Sequence, residues 1–490
     1  MTAQKIGVAV LVAAVTAATW AGPQAVTPRF PKSDLVIAEE IVTPPAAADT
    51  DAAPLLQAAI DRTAQRGGGT VFAAAGTYRI ASRIIVREGV TLRGDFSAQA
   101  PGAGTLLSIT ADKGREDAPA TFSIERGGGL VGLTFWYPEQ RLPDPVPYPW
   151  TIKNATMPAN DNQTVADCTF VNAWKAICIG PDGNELHTFR NLKICALKTG
   201  IEIDSTTDIG RISKVTVAPA VWLESGLPGV PSASALCDYL LREDTVGVMI
   251  GRSDWEYIWR LEVFGYRRGL VFRKGARGTT NAVMAESRLT GCGRACEVQA
   301  LNQVGLSAYR CAFAGAEHAW FGTPSFDAVV QFHSCRFDGV TANDGSGVVT
   351  FHACDLATAD VTCVPDGQLT AMDCALGHAT LAARRVRLLG FDAAKARVDG
   401  LDAADDVMVH AAACGKAGEP VVWGDPPPFP RPKSDALFVV TAFGASPERE
   451  DNAAAFQAAL DKAGANPGGG TVYVPGGRYA FRGDIVVPTG

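Results

Sequence analysis

The sequence predicts an all-β solenoid, a right-handed parallel β-helix. Three observations predict it. Short apolar strands separated by Gly, Asn and Asp turns run from about 119 to 415. A Cys-x-Phe/Leu triplet recurs along them, and a helix suited to capping a solenoid precedes them. The triplets begin at Cys168, Cys195, Cys311, Cys335, Cys354 and Cys374, and the last three steps (311 to 335, 335 to 354, 354 to 374) are each the length of one coil. Segments such as TFRNLKICALKTGIEIDS are too short to bury their own apolar face, so stacked coils must bury it for them.

The period-2 spacing places each Cys on the same strand face as its Phe or Leu partner. The 12 cysteines therefore read as a ladder of buried free thiols rather than a disulfide framework. No CxxC occurs, and neither Cys292 and Cys296 nor the six histidines have metal-ligand spacing. No metal or other cofactor is expected. His333 and His352 stand two residues before a ladder Cys, so period 2 places them inside with it.

A solenoid end exposes core and unpaired backbone and needs a cap. Residues 52–66 supply one: Leu55, Leu56, Ala59, Ile60 and Thr63 form one helical stripe, Asp51 can cap its start, and Gly67–Gly69 stop it. The unit recurs at 453–464 with Gly468–Gly470 and TVYVPGGRYAF; Gln57, Asp61 and Tyr78 match Gln457, Asp461 and Tyr479. Between the copies, DPPPFPRP (425–432) reads as a stiff linker.

At the N-terminus Lys5 precedes an apolar run, Ile6 to Val15, with small residues at 19 and 21, the pattern of a cleaved signal peptide. The run is shorter than the ~20 residues of a membrane span. The expected organisation is a signal peptide at 1–21, an extension at 22–50, the β-helix at 51–424, the linker at 425–435 and the start of a second β-helix at 436–490. The second copy breaks off before its first coil closes, so a second β-helix of a longer chain is an expected partner; the alternative is that the cap unit packs back on the first solenoid as a terminal tail. The net charge of −7 among 490 residues gives no basic surface for nucleic acid. After cleavage no membrane partner is expected, and the location is secreted or periplasmic.

The succession of cap helix, GGGTVxxxxGxY and GVTLRG resembles the pectate-lyase-like β-helix superfamily, whose members include rhamnogalacturonase/epimerase-like and family 28-related glycosyl hydrolases. The duplicated unit, with Val440, Phe443, Gly444 and Ala445, is similar to the tandem β-helices of family 55 glycoside hydrolases. That resemblance implies a hydrolase acting on a polysaccharide such as β-1,3-glucan, with the acid carried on the second helix. The Asn-Thr-Asp and Gly-His-Gly motifs of family 28 polygalacturonases are absent. No family catalytic residue carries over to a position here. The fold also hosts lyases and non-catalytic adhesins, so a binding module and a uronate lyase stand as alternatives.

Two sets of candidate site residues follow from the strands. Trp136, Tyr137, Tyr148 and Trp150, with Glu139 and Gln140, lie in or beside a Pro-broken stretch and read as a sugar platform or as a local lid. Ile201 and Ile203 pointing inward would turn Glu202 and Asp204 outward. Trp255, Tyr257, Trp259 and Leu261 on one face would put Asp254, Glu256, Arg260 and Glu262 on the other. Carboxylates at i and i+2 sit roughly 6.5–7 Å apart, within the range of an inverting glycosidase pair. No basic cluster adjoins them in the sequence, which points away from uronates.

Overall fold

The computed structural model describes residues 22–29, 35–96, 101–156, 158, 160–412 and 432–488. The signal-peptide segment and residues 425–431 of the linker lie outside the described residues. Three parallel sheets wrap one axis. The first runs from Val36–Val42 through 69–73 and 90–94 to Asp406–His410. The second starts at Gly76–Ile80 and the third at Ile84–Val86. Each strand pairs in parallel with the corresponding strand of the next coil, so the fold is a parallel β-helix. Beyond the Val36–Val42 strand, Gln24–Val26 pairs antiparallel and closes the top edge.

The corner between the first and second sheets sets the geometry. One residue per coil adopts a left-handed backbone there: Asp167, Asn191, Lys214, Arg260, Glu286, Arg310, Ser334, Ala353 and Asp373, with φ of 50–54°. An L-residue meets a steric penalty of roughly 1–2 kcal/mol in this region. At Asp167, Glu286, Arg310, Ser334, Ala353 and Asp373 the backbone N–H donates to a carbonyl of the next coil, as from Arg310 to His333 at 2.9 Å and from Ser334 to His352 at 2.9 Å.

The bend also changes the alternation. The residue after it turns inward: Cys168, Leu192, Val215, Leu261, Ser287, Cys311, Cys335, Cys354 and Cys374 are all buried. Five of these are the expected ladder thiols. Each thiol donates back to the carbonyl two residues earlier, 3.2 Å for Cys168 and 3.3 Å for Cys311, and the Ser287 hydroxyl does the same at 3.0 Å. A small donor side chain is what this corner accepts. Every cysteine among the described residues is free, and burial pushes the Cys168 and Cys195 thiols up to about 12. Cys195 is a correction within the ladder. It lies past the corner, whose position in that coil is filled by Leu192.

His333 and His352 are a second correction. They precede the bend, so the left-handed Ser334 and Ala353 separate them from the Cys face, and both are only half-buried. Inside, the next apolar positions stack rung over rung, as in Phe135 on Phe170 (4.6 Å, 8°) and Phe313 on Phe337 (5.0 Å, 15°).

The helix Ala53–Gln65 closes the top with Leu56, Ala59, Ile60 and Thr63, whereas Leu55 points to solvent. The Asp51 carboxylate accepts the Ala53 N–H at 3.1 Å and the Ala81 N–H at 2.9 Å. The Gln57 amide clamps the Ile85 backbone, accepting at 2.7 Å and donating at 3.0 Å. The second copy repeats this device, with Gln457 on Val486 at 2.8 and 2.9 Å. It has its own small core of Val440, Ala445, Ala455 and Ala459. It touches the first unit where Gly476 crosses Gly67 and where the Tyr473 hydroxyl donates to Glu39 at 2.6 Å.

The left-handed corner gives a direct test. Ala353→Gly removes the Cβ penalty and is expected to leave stability unchanged or raise it by up to about 1 kcal/mol. Ala353→Val is expected to lower it by about 1–2 kcal/mol. Urea midpoints of the two variants check this, and equal midpoints would remove the role assigned to the bend.

Candidate functional site

The Pro-broken stretch folds inward. Tyr137, Tyr148 and Gln140 are fully buried. The two rings meet edge to face at 4.7 Å, and the Tyr137 hydroxyl shares a 2.6 Å hydrogen bond with Thr151. Gln140 bonds both the N–H and the carbonyl of Val146, each at 2.8 Å, so one side chain folds the loop onto itself. Glu139 is engaged by Lys113 at 2.9 Å. Trp136 packs half-buried against the core, and Lys175 lies 5.4 Å over the half-buried Trp150 ring. A platform of Tyr137, Tyr148 and Gln140 is thereby corrected to a lid. Gln140 folds the loop on itself and Asn172 and Thr151 hold Tyr137 from beneath, so these rings face inward while Arg141, Pro143 and Asp144 at the tip stay exposed.

The carboxylates need the same scrutiny. Asp204 is buried past its strand end and accepts the N–H groups of Arg252 (3.0 Å) and Ala276 (2.9 Å), so it clamps two loops. Glu202 is held by Arg273 at 2.8 Å and Asp254 by Arg252 at 2.6 Å. Glu256 is fully buried, with its oxygens 2.7 Å from Ser253 Oγ and 3.3 Å from His187 Nε2. His187 and Glu256 meet across Gly210, which lies on the coil between them and has no side chain to keep them apart. The outward placement of Asp204 and Glu256 is therefore corrected, and these two cannot reach a substrate.

Glu256 points inward because the chain bends twice. Trp255 (φ 63°) and Arg260 (φ 53°) are both left-handed, and between them Glu256 and Ile258 face the core. Tyr257 and Trp259 consequently face out, the reverse of simple alternation across 255–261. Trp255 is 45% exposed and Tyr257 42%. A bulky residue at positive φ is rare outside sites where the fold enforces it.

A continuous outer column follows. Trp259 pairs with Ala285, Ala285 with Tyr309, Tyr309 with His333 and His333 with His352 on successive rungs. Trp259 and Tyr309 stand two rungs apart, about 9.6 Å along the axis. The Tyr309 ring is 40% exposed and stacks on His333 at 4.9 Å and 10°. These aromatics were missed because the parity change at the bend is invisible to a period-2 reading. The signal available was the residue before each ladder position, polar in every one of these coils but that of Ala353.

Beside this column the corner residues line two adjoining open grooves. The first, about 520 Å³, has Lys214, Arg260, Glu262, Glu286 and Arg288 in its wall. The second, about 380 Å³, has Glu286, Arg288, Arg310, Ser334 and Arg336. Glu286 sits between them. Arg260 approaches it at 3.0 Å, the Trp259 indole donates to it at 3.3 Å, and Arg310 closes from the other side at 2.5 Å. These partners outweigh its partial burial and hold its carboxyl below the usual carboxylate range. The Arg260 guanidinium also lies 4.4 Å over the Trp259 ring. Arg288 engages Glu262 at 2.9 Å. The basic cluster missing from the linear sequence is thus present, assembled from separate coils.

Over residues 437–490 the chain matches the family described as rhamnogalacturonase A/epimerase, pectate lyase-like. No curated protein matches it. Among solved structures it is similar to a hyperthermoactive exopolygalacturonase from Thermotoga maritima (11% identity over 74% of this chain and 92% of that one, TM-score 0.37). It is also similar to an endo-xylogalacturonan hydrolase from Aspergillus tubingensis (13%, 76% and 100%, TM-score 0.39) and to the tailspike of Escherichia coli bacteriophage HK620 (12%, 74% and 77%, TM-score 0.39). Likeness at this level carries no argument about activity.

Two expectations test this geometry. A Cβ at Gly210 would lie 2.1 Å from Glu256 Oε2 and 2.5 Å from His187 Nε2, so Gly210→Ala is expected to cost about 1–3 kcal/mol, read from the melting transition. The second concerns pH. Burial, reinforced by Arg294 for His318 and by His352 for His333, lowers both imidazoles from their ordinary value. A depressed folded-state value means their contribution is complete above the ordinary histidine range and is lost as pH falls below it. The melting temperature is expected to drop between pH 7 and 5, and the His318→Gln/His333→Gln variant to show a shallower drop. An unchanged slope would exclude these two groups as its source.

Proposed function

We propose that this protein is an exported, carbohydrate-active β-helix of the glycoside-hydrolase-like kind, and that its first β-helix holds a polysaccharide chain along the outer face of the first sheet. The observation that carries this reading is the outward-facing column Trp259–Tyr309–His333, in which Tyr309 is exposed and Trp259 and His333 are half-buried, with the exposed Trp255 and Tyr257 beside it and a charged groove along its edge. Aromatic faces offer apolar surface to the flat side of sugar rings, and the neighbouring charged groups bond hydroxyls. The match at 437–490 supports the same class, and the N-terminal segment supports export.

The groove bears on the chemistry as well. Glu286, ionised between two arginines, suits electrostatic stabilisation and is unsuited to protonating a leaving group or to accepting a proton. The face therefore acts in binding, and hydrolysis of a glucan-like chain draws its acid from elsewhere in the protein. A purely binding module is the second reading, favoured by the arginine contacts that engage both groove carboxylates.

The test is titration of the full chain against a panel of neutral and acidic oligosaccharides, with a reducing-sugar assay alongside. Trp259→Ala and Tyr309→Ala are each expected to weaken binding about tenfold (about 1.4 kcal/mol), with circular dichroism unchanged. Trp136→Ala and Trp150→Ala should leave affinity unaltered. Binding that survives loss of both Trp259 and Tyr309 would refute the placement on this face.

A further inference from the structure

We infer that the outer face of the first sheet carries a copper site, built by the imidazoles of His333 and His352 with the Met372 thioether beside them. The inference stands apart from the glycan-binding reading and does not depend on it.

Stacking is what brings these residues together. Each lies one coil from the next in the sequence, a spacing in which no metal motif is legible, yet they pair in register on three successive rungs. Neighbouring rungs are ~4.8 Å apart. Each residue immediately precedes a left-handed corner, Ser334, Ala353 or Asp373, so the same bend turns all three side chains into one outer column. Behind them the thiols of Cys335, Cys354 and Cys374 donate to the carbonyls of His333 (3.5 Å), His352 (3.5 Å) and Met372 (3.3 Å). The backbone that presents the three donors is thereby held from the interior.

Geometry is the second argument. The His333 and His352 rings stand 5.7 Å apart, centre to centre, at 75°. A metal bound at about 2.0–2.1 Å by two imidazole nitrogens holds those nitrogens about 3–4 Å apart, a span that residues on adjacent rungs can bridge. Tyr309, on the preceding rung, stacks on His333 at 4.9 Å and 10° and steadies that ring. Rotation of the His352 ring about its Cβ–Cγ bond then closes the pair on the ion without moving the backbone.

Availability and ligand type are the third. His187 and His318 each bury an unpartnered ring nitrogen, and the half-buried His333 and His352 do not. Burial and the neighbouring His352 lower His333 from its ordinary value, so its ring carries a free lone pair at neutral pH. The flanking positions are uncharged: Gln331 and Thr350 on one side, Ser334 and Ala353 on the other. Among the described residues no three His, Cys, Asp or Glu side chains form a metal-binding group, so the third donor here is the sulfur of Met372. Calcium and magnesium take oxygen donors. Two imidazoles suit zinc and copper alike, and a soft thioether selects copper, above all copper(I).

The experiment is titration of the full chain, freed of metal with EDTA, with copper(I) supplied from a chromophoric chelator under ascorbate and with zinc(II) by calorimetry. The expected result is withdrawal of copper(I) from the chelator and tighter binding of copper(I) than of zinc(II). His333→Gln and His352→Gln should each weaken copper(I) at least tenfold. Met372→Leu should weaken copper(I) about tenfold and leave zinc(II) unaltered. His378→Gln, which removes a histidine held between Asp360 and Asp399 on another face, should leave copper affinity unchanged. Circular dichroism checks each fold, and the single variants are read separately, so a double variant that fails to fold leaves the test intact. Copper(I) uptake that survives both histidine substitutions would lodge the ion on the thiols and overturn the inference. Indifference to Met372→Leu, or zinc(II) bound more tightly than copper(I), would overturn the assignment to copper.

Discussion

One backbone hydrogen bond organises this molecule. At the corner between the first and second sheets a single left-handed residue directs its N–H to the next coil. The left-handed conformation costs free energy at every non-glycine position it occupies, and stacking offsets the cost because the bend buries the following residue. The thiol column inside and the aromatic column outside are both consequences. The residue after the bend points in, and the residue before it points out in every coil but the first, where Ala166 is buried. Where a second bend occurs, at Trp255, the chain buries an acid, exposes an indole and a phenol, and leaves the Trp259 indole half-buried on the outer face.

The coil repeat was legible in the sequence because Cys-x-Phe/Leu lies wholly on one side of the bend, where period 2 holds. The duplicated cap was legible because Gln57 and Gln457 perform the same backbone clamp. What crossed the bend was not legible. His-x-Cys looks like one face, yet Ser334 and Ala353 rotate the chain between the two residues. Asp204 and Glu256 look like surface acids, but one lies past a strand end and the other between two bends. The arginines of the grooves come from separate coils, and their proximity exists only after stacking. The loop at 138–149 looked exposed from its prolines, because nothing local announces that Gln140 will satisfy Val146.

Corner residues therefore carry two duties. Lys214, Arg260, Glu286 and Arg310 set the backbone, and being at the bend they also project into the grooves. Their backbone role depends little on side-chain identity, as Ala353 and Ser334 at the same position show. Groove charge can therefore change from coil to coil without altering the fold. The interior has less freedom: His187, Gly210 and Glu256 occupy one column, and a change in any of them meets the other two.

The thiol column bears on how such a chain is made. Cys311, Cys335, Cys354 and Cys374 occupy the same corner of successive coils, and only stacked neighbours keep them from solvent. On an unstacked chain they are ordinary reactive thiols, separated by stretches short enough to pair with one another or with a second molecule. In an oxidising compartment, coil closure is thus a race against oxidation. The chain reaches its free-thiol form when stacking overtakes disulfide exchange, so rapid coil closure favours correct assembly.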